Sequence, residues 1–446
     1  MEIEVTPLYR EAMEILYSGD TPLTTGWQAI IHLGSNIYIP LQVIAVTLSR
    51  DYVNNYADEN TRTFMVPLGK YARQIYPYRT NLEITLIKAP INSLTGILDT
   101  ENPLSTERFS AVLIDKGPSV VEGQGREALD EDTLDLSQII EVHFQLINKS
   151  TERLRMTTVG GIYRRTTVGD LILGLVTKAA SEINIDYKRI IEGVDLIEPS
   201  NLEKKEQISI THGVKLVDVP KYIQKHYGVY AADLGCFLQN DNFYIYPLYD
   251  PTHFKDRPKT LTALVLPKKK FTQVEKTYRS IGDSLVILIT ADTGFKDDSG
   301  TQYLNYGNGV RYANASSFLS GDTSVSDNKA SVNRLTKNSE FVFDERDDGV
   351  NNVTVASNRI TSNPFAIAST LIGRNGGTFK MTWENCDQSL LIPGMATKII
   401  YFDESEVHEI YGVLHKVINV SHKAGDWDSI KHQTHCVLTV FVNRKI

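Results

Sequence analysis

Cysteine is scarce in this chain of 446 residues: Cys236, Cys386 and Cys436 are its only three. Thiols so few and so widely spread form neither a disulfide framework nor a zinc knuckle. They read as reduced core thiols in a chain folded in a reducing cytoplasm. Long apolar runs are also missing. The longest, such as Leu285–Ile289, fall far below the ~20 residues that a bilayer-spanning helix needs. Met1–Val5 has neither the basic start nor the apolar stretch of a signal peptide, so no membrane anchor is expected. Basic residues are not in excess either. The 46 Lys and Arg against 54 Asp and Glu give a net charge of −8, which speaks against a dedicated nucleic-acid binder, since phosphate neutralisation needs surplus cations. The rest is globular: 41% apolar and 22% charged residues exclude wholesale disorder. At about 150 residues per domain, the length suggests roughly three domains.

Signatures of chemistry are lacking as well. There is no Gly-x-x-x-x-Gly-Lys phosphate loop and no Gly-x-Gly-x-x-Gly between a strand and a helix; Tyr306-Gly-Asn-Gly309 reads as a turn. No Gly-x-Ser-x-Gly elbow supports a Ser-His-Asp hydrolase. His408, Glu409 and His415 lack His-Glu-x-x-His spacing. His432, His435 and Cys436 are the more inviting ligand set. On a strand, however, their odd offsets send His432 and His435, and His435 and Cys436, to opposite faces. Carboxylates concentrate in turns and solvated runs such as Asp344-Glu-Arg-Asp-Asp348, and Lys268–Lys270 is a lone basic run. No catalytic, cofactor-binding or metal-binding residue is therefore assigned, and the chain is read as a non-enzyme without a cofactor.

Periodicity gives the organisation. Near the start, Thr6 is placed as an N-cap with Pro7 at the first helical position, and Tyr9, Ala12, Met13, Leu16 and Tyr17 form one stripe ending before Gly19. The period then changes to two. Ile44, Val46 and Leu48 align, as do Leu82, Ile84 and Leu86; Ile140, Val142, Phe144 and Leu146 give the cleanest alternation. Residues 25–165 thus read as a mostly antiparallel sheet with one wet face, interrupted by an exposed loop at Gly123-Gln-Gly125 and the acidic stretch Glu127–Asp132.

From Thr167, paired with Asp170 as a cap, Val168, Leu171, Ile172, Leu175, Val176, Ala179 and Ile183 recur at helical spacing. A second helix runs from Asp218 as N-cap to Gly228, with Val219, Tyr222, Ile223 and Tyr227 on one side. Cys236–Gln239 and Phe243–Tyr246 flank Asn240-Asp-Asn242 as a hairpin. Tyr244, Tyr246 and Tyr249 cluster there and suit an interface; local packing beneath the hairpin accounts for them equally. Leu261–Leu266 and Leu285–Ile289 are strands, the second buried on both faces by its unbroken apolar run. Residues 294–362 are a long polar excursion containing short strand-like pieces at Glu340–Phe343 and Val353–Val355; loops of that length usually serve a partner. Lys398–Phe402, Glu409–Val420 and Cys436–Val442 close the chain as strands, with turns at Asp403–Glu406 and Lys423–Asp426.

The closing segment, with Ile392-Pro-Gly-Met395, Lys398–Phe402, Tyr411-Gly412 through Val417, Val420 and His422, then a hairpin containing Gly425 and the strand Cys436–Val442, resembles the final barrel of the baseplate hub proteins of contractile-tailed bacteriophages. The middle is similar to that family too: a Thr-x-x-Asp-capped helix, a helix ending in Tyr227-Gly228, and the hairpin Phe237–Tyr246, reinforced by Pro267–Thr290. The resemblance implies an α+β, mainly β fold with two tail-tube-like antiparallel β-barrel domains, an inserted helix and hairpin domain, and a long polar arm. Its parts would be 1–165 (N-terminal helix and first barrel), 166–255 (insert), 256–293 (return strands of the second barrel), 294–362 (arm) and 363–446 (closing strands).

The implied function is that of a virion protein of the tail baseplate, assembled in the host bacterial cytoplasm. It would act as a homotrimer that adapts the six-fold tail tube to the three-fold central spike. Implied partners are further copies of itself, the spike, the tube or its initiator, tape-measure and wedge proteins, and genomic DNA passing transiently through the lumen. The rival readings are a receptor-binding tail-tip adhesin acting through the arm, and a hub-associated cell-wall hydrolase.

Overall fold

The computed structural model describes residues 5–17, 24–92, 95–114, 137–182, 191–254, 259–266, 277–290, 293–296, 376–403, 406–425 and 429–443, with 184–185, 188–189, 365 and short strands between 309 and 356. The loop at 123–132, the basic run at 268–270, Tyr306 and the carboxylate run after Asp344 lie outside these residues.

The N-terminal helix α1 (Val5–Tyr17) precedes seven strands: β1 (Thr25–Leu33), β2 (Asn36–Tyr38), β3 (Gln42–Asp51), β4 (Glu59–Pro67), β5 (Leu82–Pro90), β6 (Ser105–Ile114) and β7 (Ile139–Asn148). They pair antiparallel in the order β3-β4-β7-β6-β5-β1-β2. Ile31, Val46, Phe64, Ile84, Phe109 and Phe144, from six of these strands, share one core, so the sheet curls around its apolar face. The alternations at Leu82–Leu86 and Val142–Leu146 point inward as expected. In β3 a bulge between Val43 and Ala45 shifts the register. Val43 is therefore buried where Ile44 was expected, while Val46 and Leu48 keep their places.

The second sheet contains β13 (Thr260–Val265), β14 (Tyr278–Ile281), β15 (Ser284–Ile289), β16 (Thr293–Lys296), β17 (Gly376–Glu384), β18 (Ala396–Asp403), β19 (Glu406–Lys423) and β20 (His432–Asn443). Purely antiparallel barrels were expected, but this sheet is mixed. β13 runs parallel to both β15 and β18. The reason lies in α1. It packs against this sheet through Ala12 and Ile15, which meet Leu264, Val286, Leu288 and Ile400, while Leu261, Ala263, Ile287 and Ile399 enter the core on the opposite face. Both faces are covered, the condition under which parallel pairing and unbroken apolar runs occur. The helix begins at Val5, so Thr6 lies within it. Tyr17 of the expected stripe is 76% exposed, and Ile15 takes the buried place.

The two sheets are also one. Strand β19 pairs with β18 over its first part and with β20 along its second. From Lys416 opposite Asp51 to His422 opposite Ala45 it pairs with β3 as well. The main sheet is continuous and open: among the described residues one path ends at β2 and β14, and a branch from β19 through β20 and β17 ends at β16.

Between the sheets stands a smaller unit. Helix α2 (Lys149–Met156) follows β7 where sheet was expected, capped by Asn148, whose side chain accepts from the Ser150 and Thr151 amides. Strand β8 (Thr158–Thr166) pairs with β10 (Lys205–Lys215), so it belongs with this unit rather than with the first sheet. Helix α3 (Val168–Glu182) carries the Thr167–Asp170 cap at 2.7 and 3.1 Å, with Val168, Leu171, Ile172, Val176 and Ala179 buried. Helix α4 (Val219–Tyr227) is entered through a 3-10 turn at Leu216–Asp218, so Asp218 is already helical and makes no side-chain cap. A short strand β9 (Gly193–Leu196) runs parallel to β12 (Asn242–Pro247), which forms the hairpin with β11 (Leu234–Gln239). Asn240 and Asp241 have φ of 50° and 59°, the two-residue turn that matches strand twist.

Both hairpin faces are buried. Cys236, Leu238, Phe243 and Ile245 enter the core of the middle unit, whereas Phe237 and Tyr246 enter the core of the second sheet. Outside the main sheet, Glu340–Asp344 and Val353–Ala356 are strands, as expected, each paired with Gly309–Asn314.

These positions separate the two faces of α1. Ile15→Ala should cost about 2–4 kcal/mol in urea unfolding, and Tyr17→Ala less than about 0.5 kcal/mol. Equal effects would contradict the packing of α1 on β13, β15 and β18.

Candidate functional site: a polar joint and an apolar rim

Where the first sheet, the middle unit and the closing segment meet, they border a half-open pocket of about 580 Å³ lined by Arg50, Asp58, Asn60, Arg62, Glu107, Asp241 and Gln388, among others. Arg50, on the buried face of β3, donates from Nε to Asp58 Oδ1 at 3.1 Å and from Nη1 to the Gln388 carbonyl at 3.2 Å. Arg62 donates from Nη1 to the carbonyls of Thr47 and Thr61, both at 3.1 Å. Burial pushes its pKa down to about 9. The Glu107 carboxyl is pushed up from its ordinary value by burial and by the neighbouring charges of Asp58 and Asp241. Ser150 Oγ donates to Asp241 Oδ1 at 2.9 Å.

Among the described residues, the lining carries cations (Arg50, Arg62, Arg108, Lys149) and anions (Asp58, Glu107, Glu192, Asp241) in equal number, so these side chains favour no ion of one sign. The pocket's polar atoms instead bind three parts of the chain together: Arg50 Nη1 to the closing segment, Ser150 to the hairpin turn.

The sequence-derived candidates are dispersed. Among the described residues, no three metal-ligating side chains come together. His432 is held between the carbonyls of Ile430 and Val43, both at 3.1 Å, and His435 meets the His422 ring at 5.9 Å. His408 stacks on Tyr401 at 5.2 Å. Tyr246 is fully buried and Tyr249 packs on Phe441 at 4.8 Å. Local packing therefore accounts for both, and an interface role for them is not needed.

No family model matches the sequence, and no curated protein matches it. Solved structures do match. A tail protein from Neisseria meningitidis MC58 aligns over 93% of this chain and 96% of its own, at 10% identity and a TM-score of 0.46. The 43 kDa tail protein of prophage MuSo2 from Shewanella oneidensis aligns over 93% and 98%, at 10% identity and a TM-score of 0.49. A chain of the Francisella PdpA–VgrG complex aligns over 98% of this chain and 61% of its own length, at 9% identity and a TM-score of 0.45.

A second feature, absent from the sequence-derived candidates, is an apolar rim on the first sheet. Ile37, Ile39, Leu41 and Ile139 are all exposed, Ile37 by 63% and Leu41 by 57%. Leu41 and Ile139 border a shallow hollow with Trp27, Met65 and Ile430. The signal was in the sequence, since Ile37, Ile39 and Leu41 alternate, but alternation does not say which face is covered.

His415 sits on the bulge of β19 between Leu414 and Lys416, opposite β20. The bulge re-aims it inward. Its Nε2 lies 2.8 Å from the Leu248 carbonyl, and its ring stacks on Phe441 at 5.2 Å. Burial pushes its pKa down to about 4, against about 6.5 in an unfolded chain. The unfolded state thus binds the proton first. The stability contribution is complete above about pH 6.5 and is lost as pH falls towards 4, up to about 3 kcal/mol. Urea unfolding of the wild type should lose that much more than His415→Gln between those pH values; parallel profiles would contradict it.

Proposed function

We propose that this chain is a structural protein of a phage tail baseplate: its hub, a homotrimer that joins a six-fold tail tube to a three-fold central spike. The observation that carries the reading is the continuous sheet. One chain contributes two β-units fused through β3 and β19, so three copies around an axis present six units to a six-fold partner. The family resemblance of the closing strands and of the hairpin supports the same reading. So does the exposed rim at Ile37, Ile39, Leu41 and Ile139, since apolar side chains exposed together can mark an association surface. The division into first unit, insert, return strands, arm and closing strands belongs to this proposal. So do the contractile tail, the virion location after cytoplasmic assembly, and contacts with spike, tube or initiator, tape-measure and wedge proteins. The net charge of −8 suits a conduit along which DNA slides without sticking. The function is carried by interfaces on the order of thousands of Å² and not by catalysis.

Native mass spectrometry of the purified chain should show a three-chain species. The double variant Ile37→Asp, Leu41→Asp should weaken it by at least roughly tenfold in Kd with an unchanged circular dichroism spectrum. A wild type that stays monomeric at its highest soluble concentration, alone and with its spike, would overturn the proposal.

A further inference from the structure

Two of the three thiols meet. β17 ends at Glu384, and Asn385, at φ 49°, turns the chain so that Cys386 lies against β20. There its Sγ is 2.9 Å from Sγ of Cys436. Cys436 is fully buried and paired in register with Trp383 of β17 and Asn419 of β19. Asn419, also buried, offers its Oδ1 to both thiols, at 3.5 Å from Cys386 and 3.3 Å from Cys436. Cys236 lies in a different core, beside the Val217 carbonyl. An apolar pair would fill the same space without competing for one acceptor.

We propose that Cys386 and Cys436 are a redox site, reduced when the chain folds and closed to a disulfide by a mild peroxide or disulfide oxidant. Cys386 is half-buried and Cys436 is not exposed, so an oxidant reaches Cys386. Burial and the neighbouring Cys386 hold the Cys436 thiol well above its ordinary pKa, which assigns the first step to Cys386 as well. With hydrogen peroxide, the Cys386 sulfur attacks one oxygen. The S–O bond forms, the O–O bond breaks, and hydroxide leaves with the thiol proton as water, giving a sulfenic acid. The Cys436 sulfur then attacks the Cys386 sulfur. The S–S bond forms, the S–O bond breaks, and the Cys436 proton leaves in a second water. Two thiols and one peroxide thus give one disulfide and two waters. The two S–H bonds towards Asn419 are lost in the process, an opposing cost. The crosslink ties the turn after β17 to β20 and closes the chain from 386 to 436, which restricts the unfolded state.

The test is a thiol count on the full chain. The folded protein is treated with stoichiometric hydrogen peroxide, quenched, unfolded in iodoacetamide and digested without reductant. Alkylatable thiols are expected to fall from three to one, with Cys236 the one that remains and a single crosslinked peptide joining Cys386 to Cys436. The unfolding temperature should rise by roughly 3–5 °C and return with dithiothreitol. Cys236→Ser should keep the crosslink, and Cys386→Ser should abolish both crosslink and shift. Three thiols still free after oxidation would overturn the proposal. So would Cys386 carried on to sulfinic or sulfonic acid while Cys436 still alkylates. Because the peptide count is made on the wild type, no variant has to fold for the outcome to be read.

Discussion

The ladder between β3 and the second half of β19 holds the molecule together. Its backbone bonds run from Lys416 opposite Asp51 to His422 opposite Ala45, joining strands far apart in the chain. They are reinforced at the ends by Lys416 Nζ on Asp51 Oδ2 at 3.3 Å and Lys423 Nζ on Gln42 Oε1 at 3.2 Å. Such part-buried side-chain contacts contribute modestly; the buried backbone groups between them could not be left unpaired without a larger cost. Three contacts follow from this ladder. It brings Arg50 to the closing segment, places Tyr52 in the core of the second sheet, and seats the Tyr52 amide on the His415 carbonyl at 2.9 Å.

The hairpin β11–β12 performs the same task for the middle unit. Alternation sends one set of its side chains to each of two cores, and a slip of one residue would exchange the sets. Tyr52 and Phe237 meet edge to face at 4.8 Å, and Gln239 donates to the Leu391 carbonyl at 2.7 Å. The middle unit is therefore fixed to the body by packing as well as by its covalent connections.

Much of this was legible in the sequence, for local reasons. The strands with strict alternation, the Thr167–Asp170 cap and the Asn-Asp hairpin turn each follow from nearest-neighbour chemistry, and the structure contains all of them. What failed was non-local. The face of α1 is decided by Leu264, Val286 and Ile400, far along the chain, which makes Ile15 the anchor. The bulges at Val43 and His415 appear only in the pairing of β3 with β4 and of β19 with β20. The parallel pairing of β13 depends on a helix covering it. The Asn148 cap was a readable signal for α2, obscured by the strand that runs directly into it. At the candidate site, the bonds from Arg50 to the Gln388 carbonyl and from Ser150 to Asp241 join residues distant in sequence, as does the Cys386–Cys436 contact elsewhere, which periodicity does not reveal.

The proposed hub is one rigid body with two β-units joined through β3 and β19, and hydrogen exchange tests that most directly. In the intact protein, amides of Val46–Asp51 and Lys416–Ser421 that lie in the ladder should exchange as slowly as those of Val142–Leu146 and Leu438–Val440 in the two cores, and should be lost with them in a single unfolding event. Ladder amides that exchange at nearly unfolded rates while both cores stay protected would show two units merely tethered, and would contradict the account.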